Sequence, residues 1–440
     1  MKKSTLIVVA VAIALGAFVY FYDSKHSIAP PPEEASWKPA FALNADQITG
    51  LTLASGNGKT VFAKQGNSWQ ITQPVTTRAD QTSISGIVND LSSAKIRRSF
   101  APTDSLSKYG LAQPAVTIDF QQKGGVEHTI QLGDKDFSGN VVYALIDASK
   151  NVDLLPVSLL EETDKPVSQL RDRSLLELND AEITGITLDD PSGTIALTKK
   201  SLAWEIAKPR EVLADSSAVD SLASALSTDK FTDVVSESPE DLAKYGLTHP
   251  SISVTAVAKG QELHLLVGKR NGDNYYARDT TRPMIFEISS TVYDALNKKF
   301  FDLRDKSILH FDPATLTAVE IHNANGAIQC VQGKGDQWTI LQPAMDKGKA
   351  IIQSWKILDP IQNARAKQIY DSPPRAILAH VAKPAIEVIL TDKSGKKTTV
   401  DISAAAGDSV YARTTAGPEV YELNTQILKD LGFKAADLLM

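Results

Sequence analysis

A tryptophan returns along this chain at nearly constant spacing, and each return carries the same neighbours. Trp69, Trp204 and Trp338 lie 135 and 134 residues apart, each in the frame Trp-x-Ile followed by a proline, namely Pro74, Pro209 and Pro343. Upstream stand matching apolar starts: Ile48-Thr-Gly-Leu51-Thr-Leu53, Ile183-Thr-Gly-Ile186-Thr-Leu188 and Leu316-Thr-Ala-Val319-Glu-Ile321. A long fixed period means one structural unit used several times, since each copy must bury its apolar face in the same way. A chain of 440 residues holds about three domains on length alone, which is the number of copies counted.

Other signatures recur in the same order. Leu106-Ser-Lys-Tyr109-Gly110-Leu111 with Pro114 returns as Leu242-Ala-Lys-Tyr245-Gly246-Leu247 with Pro250. Tyr143, Tyr276 and Tyr411 each precede an alanine in a strand-like run, and Leu170-Arg-Asp-Arg-Ser174 returns as Leu303-Arg-Asp-Lys-Ser307 just before a new copy opens. Within a copy, alternation predicts three strands up to and including the Trp. An amphipathic helix follows, with stripes Ile84, Ile87, Val88, Leu91 and Val219, Leu222, Ala223, Leu226. Asp80 and Asp215 are placed to cap those helices by accepting free amide hydrogens of the first turn. The Tyr-Gly pairs suit a short helix closed by a left-handed glycine. Further strands and a closing helix complete an α+β module whose sheet is mostly antiparallel. The repeated Trp and Tyr side chains are expected to anchor the core, with ligand stacking as the competing role. Modules are expected at 46–179, 180–312 and 313–440, as separate folding units.

The Trp frame, the Lys-Tyr-Gly-Leu…Pro signature and the Tyr-Ala-Arg strand resemble the bacterial family called domain of unknown function 4340, over most of the chain from Ile48 onward. Copy three departs from it: Ala379-His380-Val381 stands where Tyr-Gly-Leu should be, and Lys349 where the Asp cap should be. A helix stop there must use His380 or shift. The resemblance implies a single-pass envelope protein, in some cases beside ABC-type exporters with accessory subunits like those of gliding-motility systems. It implies no settled activity.

Thr5–Tyr22 contains no charged residue. At about 1.5 Å per residue such a run spans most of a bilayer's hydrocarbon core. Lys2 and Lys3 before it favour an N-terminus in the cytoplasm. An uncleaved anchor is favoured over a signal peptide, because Ala12-Ile13-Ala14, which imitates a cleavage site, falls inside the apolar run. The expected layout is a cytoplasmic tip (1–4), a transmembrane anchor (5–22) and a Pro-rich spacer (23–45) that holds the modules off the bacterial inner membrane, in the periplasm.

Little in the chain points to chemistry. A net charge of −6 with no basic block argues against nucleic acid. The seven histidines form no metal-ligand spacing. Gly56-Asn-Gly58-Lys59-Thr60 imitates the end of a phosphate loop, but Leu53 stands where its first glycine should be, so a hairpin turn is expected and no nucleotide. Asp134 to Gly139 resembles a calcium loop, yet Leu145 occupies the place of the bidentate glutamate. The lone cysteine, Cys330, is expected in the core, with Val61 and Ala196 as its counterparts. No catalytic, cofactor or metal residue is therefore assigned. The expected role is a membrane-anchored scaffold for an envelope protein partner, an ABC-type transporter being the implied example. The alternative is a ligand-binding or lipid- and polysaccharide-handling protein, and an envelope hydrolase ranks last.

Overall fold

The computed structural model describes residues 37–147, 149–333, 337–344, 351–352 and 354–439. Thr5–Tyr22, where the sequence places the anchor, lies outside them. Among the described residues no helix is long and apolar enough to cross a membrane.

Three nine-stranded sheets of one topology form the framework of the described residues, and few helices accompany them. In the first sheet the order is Thr77–Arg78, Ser68–Gln73, Gly58–Gln65, Ile48–Ser55, Val116–Gln122, Glu127–Lys135, Val141–Ile146, Val152–Pro156, Arg98–Phe100. Each neighbouring pair is antiparallel. Hairpins explain most of that order, because an antiparallel pair needs only a short turn. The long-range step joins the first strand to the strand that follows the helices: Leu51 lies opposite Phe120 and, in the third sheet, Val319 opposite Leu390. Burial alternates along Val116–Gln122, where Val116, Ile118 and Phe120 are buried and Asp119 is exposed. One face therefore meets the core and one meets solvent.

Helix Gln81–Ser93 buries Ile84, Ile87, Val88 and Leu91, and helix Ser216–Thr228 buries Val219, Leu222, Ala223 and Leu226. Asp80 accepts a hydrogen bond from the Ser83 amide at 2.8 Å and Asp215 from the Ala218 amide at 3.2 Å, each worth about 1 kcal/mol. The third helix, Trp355–Gln362, is shorter and buries Ile357, Leu358 and Ile361. Lys349, read as the missing cap, lies outside the described residues. So does residue 353, which follows the bridge Ile352–Leu439 as the caps follow Ala79–Arg171 and Ala214–Arg304.

Two local readings change. Cys330 is buried, but its counterparts are Phe62 and Leu197 rather than Val61 and Ala196: Cys330 lies opposite Val319 as Phe62 lies opposite Leu51 and Leu197 opposite Ile186. The hairpin leading to Trp338 is one residue longer, so counting back from the Trp slips by one position and onto the other face of the strand. Residues read as spacer also join the first module. Lys38–Pro39 pairs with Lys95–Ile96, Arg97 covers the Trp37 ring at 4.4 Å, and Phe41 enters the core edge-on to Phe120 at 5.0 Å.

Two compact units divide the described residues. One comprises those up to Leu175 with 230–240 and 283–288, and the other comprises 176–229, 241–282 and 289 onward. The division does not follow the three repeats.

Candidate functional site

Trp69, Trp204 and Trp338 are all buried in cores. The indole Nε1 of Trp204 donates to Asp220 at 3.0 Å, so its polar edge is satisfied without a ligand. The prolines that follow, Pro74, Pro209 and Pro343, all sit in cis peptide bonds.

The Tyr-Gly signature builds a corner. Gly110 and Gly246 are left-handed, at φ 72° and 73°, and close the short 3-10 turns Leu106–Tyr109 and Ala243–Tyr245. The tyrosine ring at each corner meets the strand tyrosine edge-on, Tyr109 with Tyr143 and Tyr245 with Tyr276, both at 5.0 Å. Pro114 and Pro250, three residues past Leu111 and Leu247, lie just ahead of the strands Val116–Gln122 and Ile252–Ala258. Two further glycines, not singled out from the sequence, complete the corner. A Cβ on Gly133 or Gly268 would lie 2.1 Å from the carbonyl oxygen of Tyr109 or Tyr245, so only glycine admits that approach. Repeat three changes both sides of the corner. Ser403 replaces the strand glycine, helix Arg375–Val381 runs on past His380, and the imidazole stacks on Tyr411 at 4.7 Å. The stop has shifted, and His380 supplies the ring that a tyrosine supplies elsewhere.

The Leu-Arg-Asp-x-Ser motif forms a joint. Looking back, Asp80 and Asp172 donate their amides to Leu170 and Arg78, and Asp215 and Asp305 donate theirs to Leu303 and Leu213. Looking forward, Ser174 bridges Lys230 and Ser307 bridges Arg365. Lys38–Pro39 fills the same place in repeat one, where Pro39 pairs with Lys95. The joint arginines are almost fully buried, Arg171 at 2% and Arg304 at 6% exposure. Arg171 reaches Glu237 at 2.8 Å and the Met284 sulfur at 3.8 Å, and Arg304 reaches Asp371 at 2.7 Å. Arg210 also pairs with Asp371. Burial alone would raise the Asp172 carboxyl, but the Ser174 hydroxyl and amide, with Arg78 and Lys230, hold it below the usual carboxylate range. Asp305 is held down in the same way, against burial, by Ser307 and His310.

Asp305, Ser307 and His310 bring the three side chains of a hydrolytic triad into one loop, in the wrong order. Ser307 Oγ donates to Asp305 at 2.8 Å and His310 bonds the other carboxylate oxygen. In a triad the imidazole stands between serine and carboxylate and takes the serine's proton; here the carboxylate stands between. Two clefts of about 320 Å³ flank this loop, one reaching Glu419 and Tyr421 and one reaching Trp204 and Arg365. Burial, with Glu419 adding to it, pushes the Tyr421 phenol up to about 12. Burial likewise pushes the Cys330 thiol up to about 12, so no thiolate forms there at neutral pH. Among the described residues no group of three or more His, Cys, Asp or Glu is placed to hold a metal ion.

No curated protein sequence matches the chain. Among solved structures, the DNA polymerase III β subunit of Pseudomonas aeruginosa aligns over 86% of this chain and 92% of its own, at 8% identity and a TM-score of 0.17. The griselimycin-bound sliding clamp of Pseudomonas aeruginosa aligns over 88% and 93%, at 8% identity and a TM-score of 0.13. Overlaps that weak carry no argument. The family model for the domain of unknown function DUF4340 matches residues 69–202 and 204–377. Its two segments open at the repeated tryptophans Trp69 and Trp204, and each runs across a joint. Since that match covers more than half of the residues, the chain belongs to the domain of unknown function 4340 family.

Proposed function

We propose that this chain is a non-enzymatic, single-pass protein of the bacterial inner membrane whose extracytoplasmic repeats serve as a scaffold for an envelope partner. An ABC-type exporter or a gliding-motility-like system is the setting that the family resemblance implies. The observation that carries this reading is exposed apolar surface that differs in place from copy to copy. The first repeat exposes Val126 and Phe137, the second Leu202, Leu213 and Val235, and the third Leu341, Ile351, Trp355 and Leu378. Large apolar side chains left in water favour surfaces that are covered in use. Tandem copies extend such a surface, and divergence lets each face something different. The two clefts beside the second joint favour the alternative, a ligand-binding envelope protein.

Two measurements test the proposal. Alkaline phosphatase, active only outside the cytoplasm, fused to the C-terminus should give activity in the membrane fraction; an inactive fusion overturns the topology. Cross-linking in cells, followed by purification of the full chain, should bring down one envelope protein at near-equal amount. A chain that purifies alone overturns the scaffold reading and leaves the ligand-binding one.

A further inference from the structure

Two positions in repeat three are apolar where both sister repeats are polar. Trp355 stands ten residues before the joint residue Arg365, as Asp220 stands before Lys230 and Ser85 before Lys95. Phe433 stands five residues before Leu438, as Lys298 stands before Leu303 and Lys165 before Leu170. The sister repeats act as internal controls: the same fold forms with Ser or Asp at the first position and Lys at the second, although in repeat three Phe433 also packs against the core. In repeat one the second position makes an ion pair, Lys165 with Glu162 at 2.6 Å. Repeat three keeps the acid, as Asp430, and replaces the cation with Phe433.

Both aromatic residues line a cleft of about 530 Å³ between helix Trp355–Gln362 and the segment Asp430–Asp437. Trp355 is 56% exposed, a large apolar surface left in water. Pro360 adds to the apolar lining, and Asp359, Asp430 and Asp437 supply three carboxylates against the single ammonium of Lys356. That ammonium is already engaged by the Asp437 carbonyl oxygen. Trp is enriched among the residues that dominate binding energy at interfaces, and a surplus of one charge selects partners of the opposite sign.

We propose that this cleft docks a cationic amphipathic segment of a partner protein, its apolar side chain seated on Trp355 and Phe433 and its lysines or arginines facing the three aspartates. The proposal rests on the scaffold reading and names the chemistry of the docking face. Its test uses the purified full chain and two fluorescent probes, a Leu/Lys amphipathic helical peptide and its Leu/Glu counterpart, followed by anisotropy. The Leu/Lys peptide should bind at least about tenfold more tightly, and added salt should weaken it. Trp355→Ser with Phe433→Lys restores the side chains found in repeat one and should remove about tenfold or more of that affinity while the chain still melts cooperatively. Asp359→Asn with Asp430→Asn should weaken the Leu/Lys peptide alone, and it decides the matter should the first variant melt early. Equal binding of the two peptides, or unchanged binding in both variants, overturns the proposal. Self-association that disappears in the Trp355→Ser, Phe433→Lys variant, with no peptide preference, would assign the face to a second copy instead. A chain that purifies alone yet keeps the peptide preference would overturn the scaffold reading and leave the chemistry of the cleft standing.

Discussion

Arg304 forms an ion pair with Asp371 at 2.7 Å from a side chain that is almost wholly buried. The two residues are 67 positions apart in sequence. Their counterparts one repeat earlier, Arg171 and Glu237, make the same pair at 2.8 Å. Removing a guanidinium from water costs several kcal/mol and is offset only by a well-placed partner. Arginine suits the place better than lysine, because it stays charged under burial and its planar fork bonds in fixed directions. The repeated Leu-Arg-Asp-x-Ser motif is therefore more than a marker of where one copy ends. Its backbone closes the edge of one repeat, its serine bridges into the next, and its arginine pairs with the acid that directly follows the next repeat's edge strand, Asp233–Ser236 or Gln368–Tyr370.

The glycine opposite the Tyr-Gly corner yields a direct prediction. Gly268→Ala places a methyl group against the Tyr245 carbonyl oxygen and should cost about 1–3 kcal/mol, the range for overpacking. Ser403→Gly, at the matching position in repeat three, should cost less, because the corner there has already moved to His380. Thermal melting of the full chain reads both. A Gly268→Ala melt equal to wild type would mean the corner is loose.

Trp204→Ala should destabilise by about 3–5 kcal/mol, as for other large-to-small core changes. It removes a buried indole and leaves Asp220 without its donor. Melting checks this. An unchanged melt with altered ligand binding would turn the tryptophan into a stacking platform.

Much of the module was legible because its signals are local. Trp-x-Ile alternation, the 3.6-residue stripes and the Asp caps each depend on a few neighbouring residues, and the three sheets follow from them. What escaped depends on distance or on length changes. The strands at the sheet edges are two to four residues long, as at Thr77–Arg78 and Gln368–Tyr370, too short for a period to show. The partners of Arg171 and Arg304 lie far along the chain, and Gly133 and Gly268 matter only because a distant carbonyl approaches them. One extra residue before Trp338 shifted the assignment of Cys330, and extra chain after Pro343 hid the start of the third helix. Trp355 was hidden with it, since its exposure is visible only once that helix is placed.

The joint is tested most directly by removing the counter-ion and leaving the arginine. Asp371→Ala strands Arg304, and melting of the full chain should report a loss of about 3–5 kcal/mol, the cost of an uncompensated buried charge. Faster hydrogen exchange should appear together at residues 303–310 and 365–371, and Arg304→Met with Asp371→Leu should recover part of the loss, since Arg210 is still left without its partner. An Asp371→Ala chain that melts like wild type, with exchange unchanged on both sides of the pair, would contradict the joint.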